Sequence, residues 1–137
     1  MAVDMFLKIE GEDVAGESVD SSHEGEIDVL AWSWGASQSG SMHTAKGGGS
    51  GKVSVQDISV TKWVDKASSP ILKSVCNGTP FKKCILTVRK AGKEPLEYLI
   101  LTMEDCLISS ISTGGSGGED RLTENISINF GKFNVSF

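Results

Sequence analysis

Hydrophobic and polar residues alternate with a period of two in segment after segment of this 137-residue chain. In the first such segment the odd-numbered residues from Val3 to Ile9 are apolar, and Asp4 and Lys8 lie between them. Successive side chains of a β-strand point to opposite faces of a sheet, whereas a helix repeats every 3.6 residues. The alternation therefore predicts a fold built mainly from β-strands.

The alternation divides the chain into about seven candidate strands bounded by turn-forming residues. They cover residues 3–9, 26–37, 52–63, 81–90, 96–104, 105–112 and 122–137. The apolar phase shifts near Gln56-Asp57 and again at Gly131, and each shift predicts a bulge or a bend. Ala91-Gly92-Lys93 is short enough to predict a hairpin connection between the fourth and fifth strands.

One helix is predicted between the third and fourth strands. Ser69 is its candidate N-cap, Pro70 suits the first helical position, and Asn77-Gly78 ends it. Its predicted buried face consists of Ile71, Leu72, Val75 and Cys76. The predicted fold is therefore mainly β: a small antiparallel β-barrel or sandwich with one short α-helix, in a single domain over residues 1–137.

Charge and cysteine content narrow the functional classes. The net charge of −5, without a basic cluster, argues against a nucleic-acid partner. Cys76, Cys84 and Cys106 fit neither a disulfide framework nor a metal motif, so we expect buried, reduced thiols from a reducing compartment. The N-terminal sequence lacks the pattern of a secretory signal peptide, and no apolar run is long enough for us to expect membrane insertion.

Residues that could support catalysis are scarce. Segment 47–52 ends in Gly-Lys like a phosphate-binding loop, but Lys46 and Val53 stand where that motif needs Gly and Ser or Thr. The two histidines, His23 and His43, have no nucleophile beside them in a fitting context. An enzyme remains an alternative only if substitution of His43 or of a cysteine abolishes an activity.

Acidic residues give no convincing metal motif either. Glu24, Glu26 and Asp28 alternate near His23, which is a weak pattern for a cation site. Glu119, Asp120 and Glu124 are interpreted as solvated charges around Arg121. We therefore expect a protein that is not an enzyme and that has no catalytic residues, no cofactor and no metal.

Two candidate strands are apolar on both faces. In the second strand, Leu30, Trp32 and Trp34 lie opposite Ile27, Val29 and Ala31; in the fifth, Leu96, Tyr98 and Ile100 lie opposite Leu99, Leu101 and Met103. A domain of this size has one core, which can bury only one face of each strand. The second apolar faces must therefore be shielded from water by something other than this core. Neighbouring copies of the chain are the first explanation, and irregular strand twist is the alternative. A monomeric barrel that binds a small ligand also stays open.

Two glycine-rich loops interrupt the strands. Residues 37–51 exceed the usual length of a hairpin connection, and residues 113–120 read TGGSGGED. The longer loop suits an arm that becomes ordered on contact with a partner; a merely flexible surface loop is the alternative.

Several long segments resemble one protein family. They are residues 26–38 (EIDVLAWSWGASQ), 51–62 (GKVSVQDISVTK) and 112–126 (STGGSGGEDRLTENI), together with the N-terminal MAVDMF and the RKAG of residues 89–92. Essentially the whole chain resembles the haemolysin-coregulated protein (Hcp) family, the tube proteins of bacterial type VI secretion systems.

The resemblance implies a β-barrel with one helix that forms hexameric rings from copies of itself. It implies that the rings stack into a tube inside a contractile sheath, with a spike at the tip, and can carry or chaperone effectors. Such a protein is cytoplasmic before firing and secreted afterwards, without a signal peptide.

We expect the two-faced strands to supply lateral contacts and the loops to supply axial contacts. Candidates for contacts between subunits or rings are Trp32, Trp34, Gln38, Ser39, Met42, His43, Lys46, Leu99 and Leu101. The second loop, with Thr113, Ser116, Glu119, Asp120 and Arg121, is expected to line the lumen or a ring face.

Overall fold

The computed structural model describes residues 3–11, 14–40, 51–92 and 96–137. In these ranges the chain forms eight strands and one helix. The elements are β1 (Val3–Glu10), β2 (Ile27–Ser33), β3 (Ala36–Gln38), β4 (Val53–Val55), β5 (Ile58–Trp63), α1 (Ser68–Asn77), β6 (Pro80–Lys90), β7 (Leu96–Gly114) and β8 (Thr123–Ser136).

Six of these strands close into an antiparallel barrel in the order β1-β2-β5-β8-β7-β6, and β3 pairs with β4 in a separate two-stranded sheet. The predicted fold class, a mainly β antiparallel barrel with one short helix, is confirmed. The phase shift near Gln56-Asp57 is the break between β4 and β5, as the pattern indicated. The predicted second strand likewise divides into β2 and β3.

The predicted fifth and sixth strands are a single strand, β7. The alternation breaks at Asp105 because this residue has a φ of 55°, in the left-handed region. Gly131 lies opposite Asp105, between the pairs Glu104↔Lys132 and Cys106↔Phe130. β8 keeps its register through Gly131, so the irregularity expected there belongs to the partner strand.

The inward-facing apolar residues form a cluster inside the barrel. Its members are Leu7, Ile9, Ile27, Val29, Ile58, Val60, Ala67, Ile71, Phe81, Cys84, Leu86, Leu101, Met103, Cys106, Ile108, Ile126 and Ile128. Most alternate along their strands, which is the arrangement that the period of two requires.

A bulge explains the apolar second face of β2. The pairing of β2 with β5 shifts register between Val29 and Ala31, and such a shift exchanges the two faces of a strand. Trp32 and Trp34 consequently pack against the core as half-buried side chains, and only Leu30 of the predicted outer face is exposed. For β2, irregular strand geometry is therefore the better of the two explanations.

Helix α1 begins two residues earlier than predicted. Its N-cap is Ala67, without a side-chain cap, rather than Ser69. Its end is as expected, because Gly78 adopts φ 66° and ψ 30° and donates its N–H to the carbonyl of Ser74. The predicted buried face is partly wrong: Leu72 and Cys76 are exposed, and Ser74 joins Ile71 among the buried residues.

A buried ion pair joins α1 to the barrel. Lys62 Nζ donates hydrogen bonds to Glu124 and, at 2.9 Å, to Asp65 Oδ1. The Ser68 hydroxyl donates to Glu124 Oε1 at 2.6 Å. The interpretation of Glu124 as a solvated charge beside Arg121 is therefore wrong: the carboxylate lies in the interior.

A second charged cluster holds the segment between β1 and β2. Asp20 accepts two hydrogen bonds from the Arg89 guanidinium, at 3.0 and 2.7 Å, and Asp4 accepts a third at 3.0 Å. The Arg89 hydrogen bond lowers the pKa of the Asp20 carboxyl from 3.8 to about 2. Hydrogen bonds to Asp20 and Asp4 raise the pKa of Arg89. His23 stacks on the Phe6 ring of β1 with the ring centroids 4.4 Å apart.

No helix in the described ranges is both long enough and apolar enough to cross a membrane.

Candidate assembly surface

One edge of β8 lacks a neighbouring strand over half its length. β5 pairs with β8 only from Thr123 to Ile128. Beyond Ile128, within the described residues, β8 pairs on its other side with β7 alone, as far as Ser136. We call residues 129–136 the β8 edge. Among the described residues, the backbone N–H and C=O groups of this edge that point away from β7 have no partner strand, so they can pair with another strand.

Apolar side chains lie along this edge. Phe133 and Val135 are 48% and 46% exposed. Their partners across the β7–β8 ladder are Met103 and Leu101, which are fully buried. Cross-strand partners share a face of the sheet, so Phe133 and Val135 lie on the core-facing side. They are exposed because, in the part of the chain that the structure describes, no further strand covers them.

Aromatic rings surround the start of this edge. Phe133 contacts Trp34 and Phe130 edge-on, with centroid distances of 5.1 and 5.8 Å. Trp34 Nε1–H donates a 2.9 Å hydrogen bond to the carbonyl of Gln56. That bond fixes the Trp34 ring beside the edge, because an indole can donate only through this nitrogen. The result is a half-buried aromatic cluster rather than isolated surface side chains.

A second apolar group lies at the end of β8. Phe137 is almost fully exposed, and its ring contacts Tyr98 at 6.3 Å between centroids. Leu96, at the start of β7, is also exposed. Leu96 does not share a face with Tyr98 and Ile100, as the alternation predicted, because the pairing of β6 with β7 shifts register between Val88 and Arg89. Tyr98 and Ile100 are half-buried.

The predicted contact residues fall into different places. Leu101 is 1% exposed and belongs to the core, so the expectation that it contacts a neighbouring subunit does not fit its position. Leu99 is half-buried on the same face of β7. Gln38 and Ser39 are exposed at the end of β3, where the Ser39 hydroxyl accepts a 2.8 Å hydrogen bond from the Lys52 N–H. Met42, His43 and Lys46 lie outside the described residues.

The second glycine-rich loop is exposed from Thr113 to Arg121, including Ser116, Glu119 and Asp120. Arg121 lies over the Trp63 ring, with its guanidinium carbon 4.4 Å from the ring centroid. A Cβ atom on Gly115 would lie 2.2 Å from Leu122 Cδ2, so a larger residue there would displace the exposed Leu122 side chain. These contacts hold the loop against the barrel, with both acidic side chains in solvent.

The described residues contain no group of three or more His, Cys, Asp and Glu side chains that could hold a metal ion. His23 instead lies with its Nδ1 2.9 Å from Glu26. Cys84 and Cys106 are buried free thiols, whereas Cys76 is exposed, contrary to the expectation that all three are buried.

Phe133, Val135 and Phe137 were not among the predicted contact residues. Their alternation after Gly131 is visible in the sequence, but alternation cannot distinguish a covered strand edge from an uncovered one. The distinguishing feature is an apolar strand that extends beyond the end of its neighbouring strand. Which strands are neighbours, and how far each extends, depends on tertiary pairing.

Comparison with known proteins agrees with this architecture. The family model described as "Type VI secretion system effector, Hcp" matches residues 6–137. The chain belongs to the Hcp family. The family predicted from the sequence segments is thus confirmed, and the chain is a type VI secretion tube protein with a β-barrel fold.

A curated relative, protein hcp1 of Pseudomonas aeruginosa, is 57% identical over 138 residues, which cover 100% of this chain and 84% of the relative. A solved structure of a type six secretion system protein is 29% identical with a TM-score of 0.90, covering 98% of this chain and 83% of that one. A type VI secretion system effector from Yersinia pestis is 36% identical with a TM-score of 0.81, covering 96% and 88%.

Proposed function

We propose that this chain is a structural, non-catalytic component of the type VI secretion tube and acts as one domain. Six copies form a ring, and rings stack into a tube that carries or chaperones effectors and contacts sheath and spike proteins. In this proposal the protein is cytoplasmic before the system fires and is expelled afterwards.

The β8 edge is the observation that carries the self-assembly part of this proposal. It combines unpaired backbone groups with Phe133 and Val135, whose apolar surfaces lie half in water. Burying apolar surface contributes about 25 cal/mol per Å², and a free edge strand readily pairs with another chain. A neighbouring copy that covers this edge would pair these backbone groups and bury the two apolar side chains.

Light scattering and negative-stain electron microscopy of the purified chain test ring formation. We expect a mass of six copies and ring-shaped particles. Phe133→Asp combined with Val135→Asp is expected to reduce the mass to that of smaller species, because charges on the contact face lose their hydration there. A stable single-subunit mass for the unsubstituted protein would instead favour the monomeric ligand-binding barrel.

Leu72→Asp is the matched control, since Leu72 is similarly exposed but lies on α1. Circular dichroism separates loss of assembly from loss of fold. If the Leu72 variant disassembles as readily as the Phe133/Val135 variant, the contact does not lie at the β8 edge.

Stacking is tested through the first glycine-rich loop. Deletion of residues 42–49 is expected to spare rings and weaken their stacking, because an axial contact is lost and the lateral contact is kept. Filament lengths in negative-stain images measure this. Unchanged filaments would assign the axial contact to other residues, such as the loop 113–121.

A further inference from the structure

His23 is a buried polar side chain outside the assembly surface. It lies in the connection between β1 and β2 and is 8% exposed. Its ring stacks on Phe6 of β1, with the centroids 4.4 Å apart and an angle of 9° between the planes. Histidine is the side chain whose charge ordinarily changes between about pH 5 and 8. The groups that face its two ring nitrogens therefore decide what a change of pH does to this connection.

Each ring nitrogen of His23 faces a carboxylate from a different part of the chain. Nδ1 lies 2.9 Å from Glu26 Oε2, at the end of the same connection. Nε2 lies 3.4 Å from Glu97 Oε1, near the start of β7. A neutral imidazole has one N–H donor, whereas an imidazolium has two. Only the imidazolium can therefore donate to both carboxylates.

The neutral ring leaves one of these two contacts unfavourable. When Nδ1–H donates to Glu26, the lone pair of Nε2 faces the Glu97 carboxylate, which has no proton to give. In the part of the chain that the structure describes, Nε2 is a buried atom without a hydrogen-bond partner. A buried polar atom without a partner is destabilising, so the position of the ring suits the doubly protonated form.

The charged residues around His23 are mainly acidic. Asp20, whose carbonyl accepts the His23 backbone N–H at 3.2 Å, adds a carboxylate from the same connection, and Glu24 beside the ring is exposed. One cation, Arg89, comes from β6, and it is paired with Asp20 and with Asp4 of β1. Two carboxylates thus already neutralise this guanidinium. The two carboxylates that face the ring nitrogens are left to the imidazolium.

We propose that His23 is a proton-operated latch that fastens the β1–β2 connection to β7. With both nitrogens protonated, the imidazolium bridges Glu26 and Glu97. As the pH rises through the range in which imidazoles titrate, Nε2 loses its proton, and Glu97, whose side chain is 38% exposed, turns into solvent. The attraction is present at the acidic end of this range and is lost at the alkaline end. The latch lies within one chain, so it does not depend on the ring assembly proposed above.

A second attachment of the same connection stays closed over this range. Asp20 accepts two hydrogen bonds from Arg89. The Arg89 hydrogen bond lowers the pKa of Asp20 to about 2, so its carboxylate remains ionised wherever imidazoles titrate. The connection is therefore expected to loosen around His23 while it remains attached at Asp20. The latch changes a local opening equilibrium and leaves the barrel closed.

Hydrogen exchange of the full chain, read peptide by peptide with mass spectrometry, tests the latch. Exchange is recorded at about pH 5 and about pH 8, the two ends of the imidazole range, and is corrected for the direct effect of pH on amide exchange. We expect the protection of residues 16–26 to fall about tenfold between them, as the loss of a charge-assisted hydrogen bond predicts. The protection of β5 is expected to stay the same.

Two substitutions on β7 with the same change of charge locate the effect. Glu97→Gln removes the carboxylate that faces Nε2, so we expect lower protection of residues 16–26 at the acidic end and little dependence on pH. Glu104→Gln, at an exposed carboxylate of the same strand, is expected to keep the full dependence. His23→Gln should behave like Glu97→Gln, and melting curves confirm that each variant is folded.

Three results would overturn the proposal. The first is an unchanged pH dependence in the Glu97→Gln variant, which would show that Nε2 does not act through Glu97. The second is an equal loss of pH dependence in the Glu104→Gln variant, which would reduce the effect to net charge. The third is protection of residues 16–26 that rises with pH, which would mean that the neutral ring holds the connection better.

Discussion

The Lys62 ammonium donates a hydrogen bond to the carboxylate of Glu124, and both side chains are almost completely buried, at 0% and 2% exposure. The two residues lie on neighbouring strands, β5 and β8, where they form a cross-strand pair. Asp65, in the segment before α1, and Ser68, the first residue of α1, complete the cluster. One buried cation thus connects two strands and the helix.

Substitution of Lys62 is expected to cost more stability than substitution of Glu124. Lys62→Met leaves two carboxylates, Glu124 and Asp65, without their cation, and we expect the free energy of unfolding to fall by about 5 kcal/mol. Glu124→Gln keeps Asp65 as a partner for Lys62, so a loss of about 3 kcal/mol is expected. Urea unfolding at a fixed protein concentration measures both.

Lys90→Met is the control for this pair, because Lys90 is exposed at the end of β6 and does not lie on the β8 edge. We expect it to change the free energy of unfolding by less than about 0.5 kcal/mol. Equal losses for the Lys62 and Glu124 variants would mean that Asp65 does not share the Lys62 charge.

Asp20 makes stability depend on pH at the acidic end. The Arg89 hydrogen bond lowers the pKa of Asp20 from 3.8 to about 2 in the folded protein. A carboxyl whose pKa is lower in the folded than in the unfolded state stabilises the fold above its unfolded pKa. That contribution is lost as the pH falls from about 4 towards the folded pKa.

Asp20→Asn is therefore expected to lower the melting temperature at neutral pH and to approach the unsubstituted protein as the pH falls towards 2. Melting curves recorded across this range measure the difference. A constant difference at all pH values would show that Asp20 acts through packing and not through its charge.

Asp105 is expected to be a position where glycine is better than the natural residue. Its φ of 55° is in a region that L-residues adopt at a cost of about 1–2 kcal/mol, although Asp tolerates it better than most. Asp105→Gly should be neutral or stabilising, and Asp105→Val should destabilise by about 1–2 kcal/mol. Urea midpoints report the order of the variants.

Glu104→Val is the comparison for Asp105→Val, since Glu104 is the preceding, exposed residue of β7. It should change stability by less than about 0.5 kcal/mol. If both valine variants lose equally, the loss at Asp105 comes from removing a charge and not from the backbone.

The three cysteines are expected to react at very different rates. Cys76 is exposed on α1, whereas Cys84 and Cys106 are buried in the core. A hydrogen bond to Cys106 and burial both raise the pKa of Cys84, which suppresses its reactive thiolate. A colorimetric thiol assay should find one fast thiol in the native protein and three in urea, and Cys76→Ser should remove the fast one.

Local pattern predicted the parts of this protein that depend on neighbouring residues. The period of two identified the strands, and the end of α1 followed from Gly78, because glycine adopts the left-handed conformation without steric cost. The break at Gln56-Asp57 was also visible as a change of apolar phase. Long, distinctive segments identified the family.

Tertiary structure alone decided which apolar and charged residues face water. Trp32 packs against the core because β2 bulges at its pairing with β5, and Leu101 is buried because it lies inside the closed barrel. Glu124 is buried because it pairs with Lys62. That partner lies 62 positions away in the sequence, so no local pattern indicates the pair. Phe133 and Val135 are exposed because β5 ends its pairing at Ile128.

The alternation in the sequence thus determined that the chain is built mainly from β-strands, since strand periodicity depends only on backbone geometry. It left a barrel and a sandwich equally open, and only the tertiary pairing closes the barrel. It did not determine which strand edge stays open or which charges become paired. Those features depend on how far each strand extends beside its neighbours, and such pairing joins residues that are distant in the sequence.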